Sequence, residues 1–129
     1  MTIRHFLQFR DLSREELGYL FERTGWIKAR FKRYERYWPL ADRTLVMIFE
    51  KQSTRTRLSF ETAIQRLGAT SVVFNVAGSS VEKGETLQET MTTIESMGFD
   101  GIVFRHGTNG IHEQVASYSS MSVINAGEG

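Results

Sequence analysis

The feature that most constrains this chain is Thr44-Leu45-Val46-Met47-Ile48-Phe49, an unbroken β-prone apolar run. A strand that is apolar at nearly every position, rather than at alternate ones, must be covered on both faces. Ser71-Val72-Val73-Phe74, Ile102-Val103-Phe104 and Met121-Ser122-Val123-Ile124 are further β-prone runs. Between them the spacing turns helical. Phe60, Ala63, Ile64 and Leu67 share one helix face, and Gly68 stands where that helix should end. Leu87, Thr90, Met91 and Ile94 share another face, closed by Gly98, and a short helix is predicted over about 110–118. Ahead of the first strand, Ser13-Arg14-Glu15-Glu16 is a capping box with Leu12 and Leu17 placed as a hydrophobic staple. Leu17, Leu20, Phe21, Thr24, Ile27 and Phe31 then recur at helical spacing, which predicts a helix from about 14 to 36 that Pro39 helps to end.

Strands alternating with helices pack most economically as a parallel sheet. The predicted fold is α/β: a four-stranded parallel sheet with helices on both faces, a Rossmann-like three-layer sandwich, preceded by a long N-terminal helix. At 129 residues the chain reads as a single domain, 1–129. It stops at Asn125-Ala126-Gly127-Glu128-Gly129 with no helix to cover the last strand, which reads as a domain cut from something longer.

Composition excludes several classes. A 40% hydrophobic and 24% charged chain is not a disordered tail. No apolar run approaches the ~20 residues of a membrane helix, and no signal-peptide stretch opens the sequence, so no membrane partner is expected. With no cysteine, disulfides and thiolate metal sites are excluded and a reducing cytoplasm is the default location. Three histidines without an H-x-x-x-H pair leave little for zinc, and no metal is expected. His106 and His112 read as surface residues with no carboxylate or nucleophile beside them. A net charge of +1 excludes a strong global pull toward nucleic acid. Lys28, Arg30, Lys32, Arg33 and Arg36 do interleave with Trp26, Phe31, Tyr34, Tyr37 and Trp38, but those aromatics are expected to pack on the sheet while the cations stay solvated.

The near-neutral total hides an asymmetry. Residues 1–43 carry ten Lys and Arg against six Asp and Glu, whereas residues 44–129 carry six against nine. Of those last six cations only Arg66 lies mid-helix. Lys51, Arg55, Arg57, Lys83 and Arg105 all fall at or just after predicted strand ends. In open parallel sheets ligands bind beyond the carboxyl ends of the strands, so cations gathered there point to an anionic ligand. Strand-end loops are also simply the exposed part of such a fold.

The motif between the first strand and its helix is more specific. Ser53-Thr54-Arg55-Thr56-Arg57 places hydroxyls and guanidinium groups at a helix N-terminus, where free amides attract anions. Phosphate or carboxylate binding is the reading this suggests; the alternative is a Ser or Thr cap with solvated arginines. It is not a Walker A loop, and no G-x-G-x-x-G follows a strand, which weakens ATP and dinucleotide readings. Lys83 ahead of Gly84, and Arg105-His106 after the third strand, are unspecific by themselves. No G-x-S-x-G elbow is present, so Ser79 and Ser80 are poor nucleophiles and covalent catalysis has no support.

Taken together these residues resemble the aspartate/ornithine carbamoyltransferase family, specifically its N-terminal carbamoyl-phosphate-binding domain. Ser53-Thr54-Arg55-Thr56-Arg57 followed by Phe60-Glu61 looks like the family signature, and the likeness runs to Asn125-Ala126-Gly127. Through about residue 61, including Phe6-Leu7-Gln8-Phe9 and Phe49-Glu50-Lys51, the chain is similar to ornithine enzymes. From about residue 75, Lys83-Gly84-Glu85-Thr86-Leu87, Arg105-His106 and the closing residues are similar to aspartate enzymes. The mixture reads as a chimera, reconstructed ancestor or design with a seam near 62–74.

The resemblance implies roles. Ser53, Thr54, Arg55 and Thr56 would cradle the phosphate of carbamoyl phosphate, Thr56 would help hold the carbonyl oxygen, and Arg105 would bridge phosphate and carbonyl. Arg55, Thr56 and Arg105 are thereby the implied catalytic residues. Ser79 and Lys83 match residues that the family donates from a neighbouring subunit, which implies a homotrimer. No cofactor is implied. The family's His-Pro-x-Gln segment and amino-acid-binding domain are absent from these residues, so the chain alone is expected to bind its ligand without full catalysis. An assembly module without ligand affinity is the competing expectation.

Overall fold

The computed structural model describes residues 4–50, 53–75 and 86–128. After a 3-10 turn at Phe9–Asp11 come α1 (Arg14–Lys32), β1 (Thr44–Phe49), α2 (Thr54–Arg66), β2 (Thr70–Asn75), α3 (Leu87–Ser96), β3 (Gly101–His106), α4 (Ile111–Tyr118) and β4 (Ser122–Glu128). The strands form one sheet in the order β2-β1-β3-β4, and every pairing is parallel. The expected α/β sheet with helices on both faces is therefore observed.

β1 shows why an uninterrupted apolar run is needed at the centre of such a sheet. Its alternate residues serve two different cores. Val46 and Ile48 join Ile102, Phe104 and Val123 from the neighbouring strands, beneath Met91 and Ile94 of α3 and Val115 of α4. Met47 and Phe49 face the other way, with Val103, and meet Ile64 of α2 and Ala69. Burying one such side chain contributes roughly 1.5–3 kcal/mol, so the two cores dominate the stability of the sheet. Edge strand β2 lies less deep, and its Val72 and Val73 are exposed.

Gly68 follows α2 with φ +94, the left-handed conformation expected of a residue that ends a helix. Space excludes other residues as well, because a Cβ there would stand 2.7 Å from the Cβ of Trp38. Ser13 and Glu16 form the expected capping box: the Glu16 amide donates to Ser13 Oγ at 3.1 Å, and the Ser13 amide to Glu16 Oε1 at 2.9 Å. That amide, together with the neighbouring Arg4 guanidinium, holds the Glu16 carboxyl below the ordinary range.

The remainder of α1 corrects two expectations. The helix ends at Lys32 rather than near 36, well short of Pro39. Tyr34 adopts φ 57, and its amide and that of Glu35 return to the carbonyls of Phe31 and Arg30. Those bonds satisfy the last turn and reverse the chain toward Trp38 and Gly68. The aromatics are not packed on the sheet either, since no residue of α1 is buried and Trp26, Tyr34 and Trp38 are exposed. Guanidinium groups cover two of them instead: Arg23 and Arg30 lie 4.4 and 3.4 Å from the Trp26 ring centre, and Arg36 lies 4.3 Å from that of Trp38.

Candidate functional site

From central β1 the chain leaves to β2 on one side and returns to β3 on the other. The carboxyl ends of β1 and β3 are thus the point where strand order switches, the place where such sheets take ligands. Phe49 and Arg105 are register partners there, and the Glu50 amide donates to the Arg105 carbonyl at 2.9 Å. This pairing brings the turn that carries Ser53-Thr54-Arg55-Thr56-Arg57 beside the end of β3.

The N-terminus of α2 differs from those of α1 and α3. Ser13 and Thr86 cap those helices with their side chains, and acidic residues occupy their first turns. Ser53 stands at the corresponding position of α2 but makes no capping hydrogen bond, and the first turn contains no acidic residue. Its hydroxyl instead donates to Thr56 Oγ1 at 2.9 Å. Ser53 is thus not a side-chain cap: the opening amides of α2 keep their donors, and no acidic residue stands in the first turn, although Glu61 lines the same cleft one turn on.

The two arginines of the motif are not equivalent. Arg57 lies 3.3 Å from Glu61, one turn on, and is neutralised there. Arg55 has no ion pair or hydrogen bond among the described residues, and lines the groove between α1 and α2. Ser53, Thr54 and Arg57 line a separate cleft of about 330 Å³ at the ends of β1 and β2, floored by Phe49 and Phe74. Arg105 lines neither. The structure therefore brings Ser53, Thr54 and Thr56 together, with Arg105 on the adjacent strand end and Arg55 facing another groove. Ser79 and Lys83 lie outside the described residues, as does Lys51.

Arg105 Nη1 donates to the Ala126 carbonyl at 2.9 Å, and its other donors have no acceptor among the described residues. Arg55 and Arg105 are thus the guanidinium groups of this region that remain available to an anion.

His106, which closes β3, and His112, in the first turn of α4, both depart from expectation. His112 is fully buried, and the His106 side chain keeps 15% of its exposure. Each has a carboxylate partner. His106 Nε2 stands 3.0 Å from Glu50 Oε2, while its Nδ1 accepts from the Thr108 amide at 3.1 Å, so the proton sits on Nε2. Glu50 Oε1 also accepts from the Gly107 amide at 3.0 Å. This carboxylate, which follows β1 directly, ties the β3–α4 turn to β1. His112 donates through Nε2 to the Phe104 carbonyl at 2.8 Å. Its Nδ1 lies 2.9 Å from Glu128 Oε1, close enough for an ion pair but not aligned as a hydrogen bond. Neither partnership has a local sequence signal, because the paired residues come from different elements.

Among the described residues no group of three or more His, Asp or Glu could hold a metal ion, and no helix is long and apolar enough to cross a membrane. The arrangement suits an oxyanion held by amides, hydroxyls and guanidinium groups.

Comparison with known proteins shows the family and the fold. The family model described as "Aspartate/ornithine carbamoyltransferase, carbamoyl-P binding domain" matches residues 4–129. An ornithine carbamoyltransferase of Dechloromonas aromatica is 51% identical over 125 residues, 97% of this chain and 40% of that protein. The crystal structure of ornithine carbamoyltransferase from Burkholderia thailandensis superimposes with a TM-score of 0.89 at 45% identity, covering 98% of this chain and 43% of that one. Aspartate transcarbamoylase from Trypanosoma cruzi, solved with carbamoyl aspartate and phosphate, gives 0.89 at 31% identity, covering 98% and 40%. The chain thus spans about 40% of the length of the curated relative it matches. With the signature at the β1–α2 turn and this fold around it, the chain belongs to the aspartate/ornithine carbamoyltransferase family, within its carbamoyl-P binding domain.

Proposed function

We propose that this chain binds carbamoyl phosphate at the switch point of its sheet and belongs to a cytoplasmic enzyme that transfers the carbamoyl group to an amino-acid amine. The observation that carries the reading is the N-terminus of α2: without a side-chain cap, with no acidic residue in its first turn, and set between Ser53, Thr54 and Thr56 at the carboxyl end of β1. Such a terminus accepts a phosphate through its amides, with Arg55 and Arg105 supplying directed charge. In the reaction a neutral amine attacks the carbamoyl carbon, the bond to the phosphate oxygen breaks, and the amine proton is lost. Negative charge grows on the carbonyl oxygen and on the departing phosphate. Fixed donors stabilise both without a covalent intermediate.

Titration calorimetry with carbamoyl phosphate tests the site. Arg55→Ala should weaken binding at least about tenfold, the loss expected of one charged hydrogen bond, while the unfolding transition stays in place. Its side chain must swing from the α1–α2 groove toward the helix terminus to contribute. Equal affinities in the two proteins would remove Arg55 from the site.

The reading also includes a homotrimer, in which Ser79 and Lys83 complete a neighbour's site. Sedimentation velocity over a concentration series should show a species three times the monomer mass. A strict monomer at high micromolar concentration would strip both residues of that role.

A further inference from the structure

Where β3 and β4 approach the site, their register breaks. Phe104 pairs with Asn125, but Arg105 pairs with Gly127, so Ala126 is an extra residue on β4. Such a bulge turns a peptide group out of the ladder and re-aims what lies beside it. The carbonyl released here, that of Ala126, accepts from Arg105 Nη1 at 2.9 Å. The Arg105 side chain lies directly over Gly127. A Cβ at Gly127 would overlap Nη1 and stand 3.0 Å from Cζ and 3.2 Å from Cγ, and the residue has φ +147, where side chains are rarely tolerated. The Gly127 amide is held in turn, donating to Asn125 Oδ1 at 2.8 Å, while Asn125 Nδ2 donates to the Leu7 carbonyl at 2.9 Å.

We infer that Gly127 and Asn125 are positioning residues for Arg105: the bulge supplies its anchor, the absent side chain of Gly127 supplies its slot, and the Asn125 amide holds the bulge in shape. The inference rests on the proposed carbamoyl-phosphate site, of which Arg105 is a member. With one donor fixed on Ala126, the guanidinium is ordered before an anion arrives, so less freedom is lost on binding. A side chain at 127 would push the guanidinium off that carbonyl and away from the β1–α2 turn. Asn125→Ala would loosen the same bulge without adding bulk. The N-terminal segment shares in the support, because the backbone N–H of Asn125 donates to the Phe6 carbonyl at 2.8 Å beside the side-chain contact to Leu7.

The test is a double-mutant cycle read by calorimetric affinity for carbamoyl phosphate, with inorganic phosphate as a second probe. Gly127→Ala and Arg105→Ala should each weaken binding about tenfold or more, and the double variant should be no weaker than Arg105→Ala alone. Asn125→Ala, which keeps Gly127, should show a smaller loss that also vanishes in the Arg105→Ala background. Circular dichroism and the unfolding midpoint check that each variant folds. If Gly127→Ala does not fold, the Asn125 cycle decides by itself. Losses that add in the Arg105→Ala background would overturn the inference, since the residues would then act by another route. An Arg105→Ala protein with unchanged affinity would instead overturn the proposed site, which separates the two failures.

Discussion

Phe104→Ala should lower the free energy of unfolding by about 3–5 kcal/mol, a large share of the roughly 5–15 kcal/mol that holds a domain folded. Phe104 is completely buried in the third strand, within the core shared with Ile48, Met91 and Val115. Its ring lies 4.8 Å from that of His112 and 5.5 Å from that of His106. Removing it leaves a cavity next to two imidazoles, and the sheet's four strands give little room for collapse from either side. Its carbonyl, the acceptor for His112, stays in place, so the loss isolates packing from that hydrogen bond. Phe104→Leu, which refills most of the volume, should recover more than half of the loss. Equilibrium urea denaturation measures both. A change below about 1 kcal/mol for the alanine variant would show that the core relaxes around the gap, against the packing argument.

Most of what places Phe104 in that core is legible in one dimension. Ile102-Val103-Phe104 is apolar at each position because a strand covered on two faces offers no solvated side, and Gly98 and Gly68 mark where the preceding helices stop. The switch point follows from strand order, which the alternation of strands and helices suggests but does not determine. What escapes the sequence is contact between distant residues. The carboxylate of Glu50 reaches His106 across adjacent strand ends, and Glu128 reaches His112 from the last strand, so both histidines looked like isolated surface residues. Periodicity also misjudged α1. Its apolar spacing is helical, but no element packs over it closely enough to bury a residue, and arginines rather than sheet cover its aromatics.

The last strand shows the same limit at the site. Met121-Ser122-Val123-Ile124 signals a strand, yet β4 runs on to Glu128, through Ala126 and Gly127, because the bulge lets an irregular stretch stay paired with β3. The candidate phosphate motif was readable because its residue types are local: hydroxyls, guanidinium groups and a helix start within five positions. The Arg57–Glu61 pair has the four-residue spacing of neighbours on one helix face and so is within reach of the sequence, whereas the turn of Arg55 toward the α1–α2 groove is visible only in side-chain geometry. The match to the D. aromatica ornithine enzyme covers 125 residues, and so both sides of positions 62–74.

These 129 residues on their own should bind carbamoyl phosphate without transferring its carbamoyl group to aspartate or ornithine at an enzyme's rate. Holding two reactants in place supplies roughly 7–11 kcal/mol of a barrier, and the site argued above accounts for one of the two. The family resemblance implies a His-Pro-x-Gln segment acting on the carbonyl, and the chain's single proline follows Trp38 rather than a histidine. The two histidines near the end of β3 do not replace it: His112, on α4, is buried against Phe104, and His106 is engaged with Glu50 and the Thr108 amide. What remains is electrostatic. In the proposed site the α2 terminus and Arg105 would stabilise a departing phosphate, which allows a small acceleration over solution with no saturation in the amine. Incubation with carbamoyl phosphate and each amino acid, followed by quantifying carbamoyl-aspartate and citrulline, measures this directly. The expected result is product rising linearly with amine concentration, near the uncatalysed rate. Formation that saturates in either amino acid and disappears in Arg105→Ala would sink the prediction, because it would place an amine site within these residues, beside the phosphate.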